Sequence, residues 1–72
     1  MTLGEILKGR SNIRVKEYER WGDGLIFIGG CYYGDDTLIQ IDKTIYTPNM
    51  EINAYEWRDN NVLMIVRERH DD

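Results

Sequence analysis

The sequence predicts an α+β domain in which a short N-terminal helix packs on a mainly antiparallel sheet of four to five strands. Helical apolar spacing occurs only near the N-terminus, and several later segments alternate with a period of two. Glycine- and asparagine-containing turns separate these segments. A small closed β-barrel is the alternative fold. Because the chain has 72 residues, we expect one domain spanning 1–72.

The N-terminal segment carries the pattern of a capped helix. Thr2 and Glu5 are spaced as a capping box, in which each side chain accepts a hydrogen bond from the backbone of the other residue. Leu3, Ile6 and Leu7 form one apolar stripe. The predicted helix has about two turns and is too short to persist without packing.

A hairpin of two strands follows this helix. Residues 12–19 alternate apolar and charged side chains, which predicts a half-exposed strand. The turn sequence WGDG occupies 21–24, so residues 25–33 form the second strand. Gly29 and Gly30 predict a bulge or bend within it.

The middle of the chain is either a short helix, which residues 35–37 could cap, or a short strand, which its apolar pattern favours. Ile39, Ile41 and Ile45 alternate, and β-branched residues are common in strands. Pro48 closes this segment in a loop.

The last part of the chain predicts a second hairpin. Strands at 50–57 and 62–69 are joined by an asparagine-containing turn at 58–61, and 70–72 form a frayed tail. Either two-residue turn tip predicts that one face carries Tyr55, Trp57, Val62, Met64 and Val66. The opposite face then carries Ile52, Ala54, Leu63 and Ile65. We expect the helix on this second face, because Ala54 permits close approach.

One helix of two turns covers only one face of such a sheet. Residues 25–28 are all apolar and do not alternate, so they direct large side chains to both faces. Three candidates could cover the face opposite the helix: residues 35–50, a second copy of the chain as a homodimer, and a different protein. The predicted protein interface comprises Tyr55, Trp57, Val62, Met64 and Val66, together with Tyr32 and Tyr33.

Single-stranded nucleic acid is an alternative partner. The basic and aromatic residues that would contact phosphates and stack on bases are Arg14, Lys16, Tyr18, Arg20 and Trp21. The net charge of −4 argues against this alternative, because nucleic-acid-binding domains are usually basic.

The sequence contains no recognisable catalytic, metal or cofactor motif. Cys31 and His70 are the only thiol and imidazole, and His70 lies three residues from the end. We therefore expect a protein without enzymatic activity, metal or cofactor. A single cysteine fits a reducing compartment, and no apolar run approaches membrane-spanning length. The expected location is the cytoplasm, without a membrane partner.

The sequences MTLGEIL, IRV and EINAYEWRDNNVLMIVR occur in this order along the chain. In this order of elements the protein resembles a group of short uncharacterised α+β proteins from bacteriophages and mobile elements of Gram-positive bacteria. The resemblance departs at WGDGLIFIGGCYYG. It implies no known activity, but it is compatible with an accessory protein that binds and blocks a host protein.

Overall fold

The computed structural model describes residues 1–68 of the chain. In chain order the elements are α1 (Leu3–Leu7), β1 (Ile13–Trp21), β2 (Gly24–Tyr33), β3 (Leu38–Gln40), β4 (Tyr55–Asp59) and β5 (Val62–Glu68). The predicted tail at 70–72 and the predicted last residue of the final strand lie outside the described residues.

The five described strands form one open sheet in the order β3-β2-β1-β5-β4. The pairs β1–β2, β2–β3 and β4–β5 are antiparallel, whereas β1 and β5 are parallel. The predicted helix and mainly antiparallel sheet are therefore confirmed, although the helix is minimal. The sheet does not close, so the alternative of a barrel is wrong.

The helix forms because its capping box is complete. The Glu5 N–H donates to Thr2 Oγ1 at 3.2 Å, and the Thr2 N–H donates to Glu5 Oε1 at 2.8 Å. The Thr2 N–H, together with the Thr2 hydroxyl that donates to Glu5 Oε1 at 3.0 Å, lowers the pKa of Glu5. Gly4 lies against the loop at Pro48, where an added Cβ would be 3.0 Å from the Pro48 carbonyl oxygen. A glycine in this helix therefore allows close packing that alanine would hinder.

The core lies between the helix and one side of the sheet, which we call the helix face. Its buried members are Leu3, Ile6, Leu7, Ile13, Val15, Cys31, Tyr46, Ile52, Leu63 and Ile65. Three of the four residues predicted to lie under the helix, Ile52, Leu63 and Ile65, are in this cluster. Ala54 is exposed instead.

The predicted face of the second hairpin was wrong for β4. Trp57 pairs with Leu63, and Tyr55 pairs with Ile65, so both aromatic residues lie on the helix face. The cause is a bulge that leaves Arg58 as an extra residue between the pairs of Trp57 and Asp59. A shift of one residue moves every side chain of a strand to the opposite face.

The segment between β3 and β4 packs on the helix side. Only residues 38–40 form a strand here, and the predicted strand positions Ile41 and Ile45 are exposed. The Gln40 side chain makes two hydrogen bonds with the Tyr46 backbone, at 2.8 and 2.9 Å. This pairing turns the chain back and places Tyr46 in the core. The predicted strand at 50–57 begins only at Tyr55.

The glycine pair of β2 lies beside a bulge, as the sequence predicts. Ile28 is the extra residue, because Gly29 pairs with Glu17 while Phe27 pairs with Tyr18. A Cβ at position 29 would lie 2.8 Å from the Tyr46 hydroxyl. The absence of a side chain at Gly29 therefore leaves the space in which the Tyr46 hydroxyl lies beside β2 and reaches Glu17.

Candidate interaction surfaces

The side of the sheet opposite the helix is here called the open face. The strand registers place on it Arg14, Lys16, Tyr18, Arg20, Leu25, Phe27, Tyr32, Ile39, Glu56, Asp59, Val62, Met64, Val66 and Glu68. The bulge residue Arg58 borders the same side, beside Val62 and Met64. The helix and Tyr46 pack on the other side. No helix or strand within residues 1–68 covers the open face.

The open face has a continuous apolar area. The β5 side chains of Val62, Met64 and Val66 are half-buried. Phe27 is 56% exposed, and its ring meets that of Tyr18 edge-on with 5.5 Å between centroids. These side chains present rings and aliphatic groups to solvent next to one another.

Four bases and three acids lie on this face of a chain whose net charge is −4: Arg14, Lys16, Arg20 and Arg58, and Glu56, Asp59 and Glu68. Two of its four bases are paired: Arg20 Nε lies 3.1 Å from Glu68, and Arg58 Nη1 lies 3.5 Å from Glu56. Arg14 and Lys16 make no ion pair with any of residues 1–68.

A shallow depression lies at the centre of the open face. Its lining residues are Lys16, Tyr18, Leu25, Arg58, Asp59, Val62 and Met64. Lys16 pairs with Met64 across β1 and β5, so its aliphatic stem stands beside the apolar side chains. The depression therefore combines an apolar floor with a cationic rim, and Asp59 is its one acidic lining residue.

The structure divides the predicted protein interface between the two faces. Tyr32, Val62, Met64 and Val66 lie on the open face, whereas Tyr33, Tyr55 and Trp57 lie on the helix face.

The three aromatic residues on the helix face already have contacts. The Arg10 guanidinium stacks 4.0 Å from the Trp57 ring centroid, and the Tyr55 hydroxyl lies 3.5 Å from Met1 Sδ. The Tyr33 hydroxyl donates to Asp36, and its pKa is raised by desolvation and by this hydrogen bond.

Four of the five residues predicted to bind nucleic acid share the open face. Arg14, Lys16, Tyr18 and Arg20 occupy alternate positions along β1, so they point to the same side of the sheet. Trp21 falls on the opposite side, where its indole N–H donates to Glu19.

A second surface, which sequence reasoning missed, is the outer edge of β2. β3 pairs only with residues 31–33, so among residues 1–68 the outer edge of 24–28 has no neighbouring strand. Leu25, Ile26 and Phe27 are 40, 48 and 56% exposed there. The uninterrupted apolar run indicated exposure on two faces, but only the strand order reveals the free edge. We call this segment the β2 edge.

Glu17 is a buried carboxylate that sequence reasoning also missed. Glu17 is 1% exposed and accepts a hydrogen bond from the Tyr46 hydroxyl at 2.9 Å. Its other oxygen lies 2.8 Å from Arg67 Nη2. Burial, with the hydrogen bond to Glu17, raises the pKa of Tyr46. The sequence signal that could have found it is the spacing of Glu17, which occupies the same alternate positions of β1 as the buried residues Ile13 and Val15.

The one thiol of the described residues is a core side chain. Cys31 is fully buried, and burial, with the charges of Asp42 and Glu17, raises its thiol pKa to about 11. His70 lies outside the described residues. Within 1–68, no three His, Cys, Asp or Glu residues are grouped so that they could hold a metal ion.

No helix in the described part of the chain is long and apolar enough to cross a membrane. Comparison of the chain with protein-family models, with curated proteins and with solved structures found no match.

Proposed function

We propose that this protein is a non-enzymatic interaction module whose open face docks on an acidic surface of another protein. The observation that carries the proposal is an apolar centre, at Val62 and Met64, beside two cations, Arg14 and Lys16, that have no ion pair within residues 1–68. Methionine, arginine and aromatic residues are enriched where proteins associate.

Burial and charge make different contributions to such docking. Fully burying a side chain such as Phe27 or Leu25 is worth about 1.5–3 kcal/mol, so covering their exposed halves yields roughly 1 kcal/mol each. Arg14 and Lys16 add attraction to an acidic partner, which affects the rate and specificity of association more than its affinity.

The resemblance to phage and mobile-element proteins extends this proposal to a host protein as the partner. A module that occupies an acidic host surface would block the contacts that this surface otherwise makes. Cytoplasmic location belongs to the same proposal.

Paired pull-downs from host lysate test the open face directly. Lys16→Glu and Met64→Glu place a negative charge on the open face, whereas Lys43→Glu makes the same charge reversal in the exposed loop after β3. We expect a partner that the wild-type chain and Lys43→Glu retain and that both open-face variants lose. A partner that all four proteins retain equally would contradict docking on this face, provided that their circular dichroism spectra agree.

Single-stranded nucleic acid is a second candidate, favoured by one specific observation. Arg14, Lys16 and Tyr18 stand on one side of β1, and the exposed ring of Phe27 lies beside Tyr18. Such a row supplies phosphate contacts together with rings on which bases stack. The acidic residues Glu56, Asp59 and Glu68 on the same face reduce its attraction for a polyanion, which is why we place this candidate second.

Fluorescence anisotropy with labelled oligo-dT and oligo-rU distinguishes the two candidates. Nucleic-acid binding predicts an affinity that falls linearly on a log–log plot against salt and weakens in Phe27→Ala. The absence of any anisotropy change at low salt would exclude this second candidate and leave protein docking.

A further inference from the structure

We infer that two copies of the chain associate by strand addition, in which the β2 edge pairs antiparallel with the β2 edge of the second copy. This contact goes beyond the proposed function. It uses the backbone edge of β2, and only the Leu25 and Phe27 side chains are shared with the open face, whose docking residues Arg14, Lys16, Val62 and Met64 lie on β1 and β5. It identifies one partner of the chain, namely the chain itself.

The β2 edge offers unpaired backbone. β1 pairs with one side of residues 24–27, and no strand of residues 1–68 lies along the other side. Exposed strand edges present rows of N–H and C=O groups on which another strand can form hydrogen bonds. The bulge at Ile28 bounds the free segment, because Thr44 and Tyr46 already lie against Gly29 just beyond it.

The two outermost strands of the sheet carry protective features that the β2 edge lacks. β3 has only three residues, and β4 has charged side chains at three of its five positions, Glu56, Arg58 and Asp59. Short length and edge charges are two ways in which proteins prevent strand addition. Residues 24–28, GLIFI, contain neither a charge nor a proline. Strand addition is therefore disfavoured at β3 and β4 and permitted at the β2 edge.

The edge is complementary to itself. A two-fold axis through Ile26 places Leu25 opposite Phe27 of the second copy, so apolar side chains meet on both faces of the joined sheet. Docking the open faces of two copies against each other would instead bring together two surfaces on which bases outnumber acids by four to three. Charge therefore favours edge pairing over face pairing as the contact between copies.

Edge pairing also explains why residues 25–28 do not alternate. Continuous apolar runs are typical of strands that are covered on both faces and paired on both edges. In the single chain, Leu25, Ile26 and Phe27 are all 40% exposed or more. A second copy paired along the β2 edge would contact side chains on both faces of β2. A partner that covered only one face of the sheet would not.

Sedimentation velocity over a range from micromolar to millimolar concentration tests this inference. Ile26→Lys introduces a charge at the edge, and Ile41→Lys introduces the same charge at an exposed isoleucine outside the strands. We expect the wild-type chain and Ile41→Lys to approach twice the monomer mass, while Ile26→Lys stays monomeric throughout. Wild-type chain that remains monomeric, or Ile26→Lys that dimerises equally well, would overturn the inference.

Hydrogen–deuterium exchange of the wild-type chain provides a readout that does not depend on a variant folding. The amides of 24–28 should exchange several-fold more slowly at high than at low protein concentration, whereas β4 amides should show no such dependence. A dimer without this protection uses another interface and contradicts strand addition. Ile26 points to the helix side, and the docking variants Lys16→Glu and Met64→Glu lie on β1 and β5. Loss of dimerisation and loss of partner docking are therefore separate outcomes.

Discussion

Replacing Tyr46 by phenylalanine tests the contact that holds residues 41–50 on the helix side. The Tyr46 hydroxyl donates to Glu17 at 2.9 Å, and both residues are almost completely buried. Phenylalanine keeps the ring and creates no cavity, but it removes a donor from a buried carboxylate. A hydrogen bond to a charged group contributes about 1.5–3 kcal/mol. We therefore expect the free energy of unfolding to fall by about 2 kcal/mol, and the melting temperature to fall by roughly 8–16 °C.

Urea unfolding followed by tryptophan fluorescence measures this loss. Tyr55→Phe is the matched control, because its hydroxyl is exposed and contacts only Met1 Sδ at 3.5 Å. The control should change stability by less than about 0.5 kcal/mol. If Tyr46→Phe were as stable as Tyr55→Phe, the buried hydrogen bond would not be what holds residues 41–50 on the helix side. The structure would then offer no reason why this segment leaves the open face uncovered.

Three further predictions use the same unfolding assay. Thr2→Ala removes the cap of α1 and should cost about 1 kcal/mol; an unchanged midpoint would show that the cap is dispensable. Gly29→Ala places a methyl group 2.8 Å from the Tyr46 hydroxyl and should cost about 1–3 kcal/mol; a neutral effect would contradict this close approach. Because the pKa of Cys31 is raised from 9.0 to about 11, the unfolded chain loses its thiol proton first. Stability should therefore decrease by up to about 3 kcal/mol between about pH 9 and pH 11. Cys31→Ala should reduce this decrease, and an identical pH profile would contradict the assignment.

Local features of the fold could be predicted from the sequence. The capping box of Thr2 and Glu5 and the stripe of Leu3, Ile6 and Leu7 depend on residues within two turns of one another. The same holds for the turn between β1 and β2. In these segments neighbouring residues determine the structure, so pattern and structure agree.

Features that depend on distant residues could not be predicted. One bulge at Arg58 moved Tyr55 and Trp57 to the helix face, although either predicted turn tip placed them on the other side. Glu17 is buried only because Tyr46, 29 residues away, and Arg67 satisfy its oxygens. Such partners become evident only once the order of the strands in the sheet is known.

The same limit applied to the two candidate surfaces. Val62, Met64 and Val66 were expected to share one face, and they do, because alternation within β5 is a local property. The free edge at residues 24–28 follows instead from the short pairing of β3 with β2. The roles proposed for these surfaces remain predictions until the binding and association measurements are made.

Both proposals depend on side chains of β2 and β5 that no part of residues 1–68 covers. Solvent paramagnetic relaxation enhancement by NMR, with a soluble gadolinium probe and dilute protein, measures this cover directly. We predict strong enhancement for the Leu25 and Met64 methyl groups and the Phe27 ring, and little for the Leu63 and Ile65 methyl groups. If Met64 and Phe27 showed as little enhancement as Leu63 and Ile65, the open face would be covered, and the result would contradict this account.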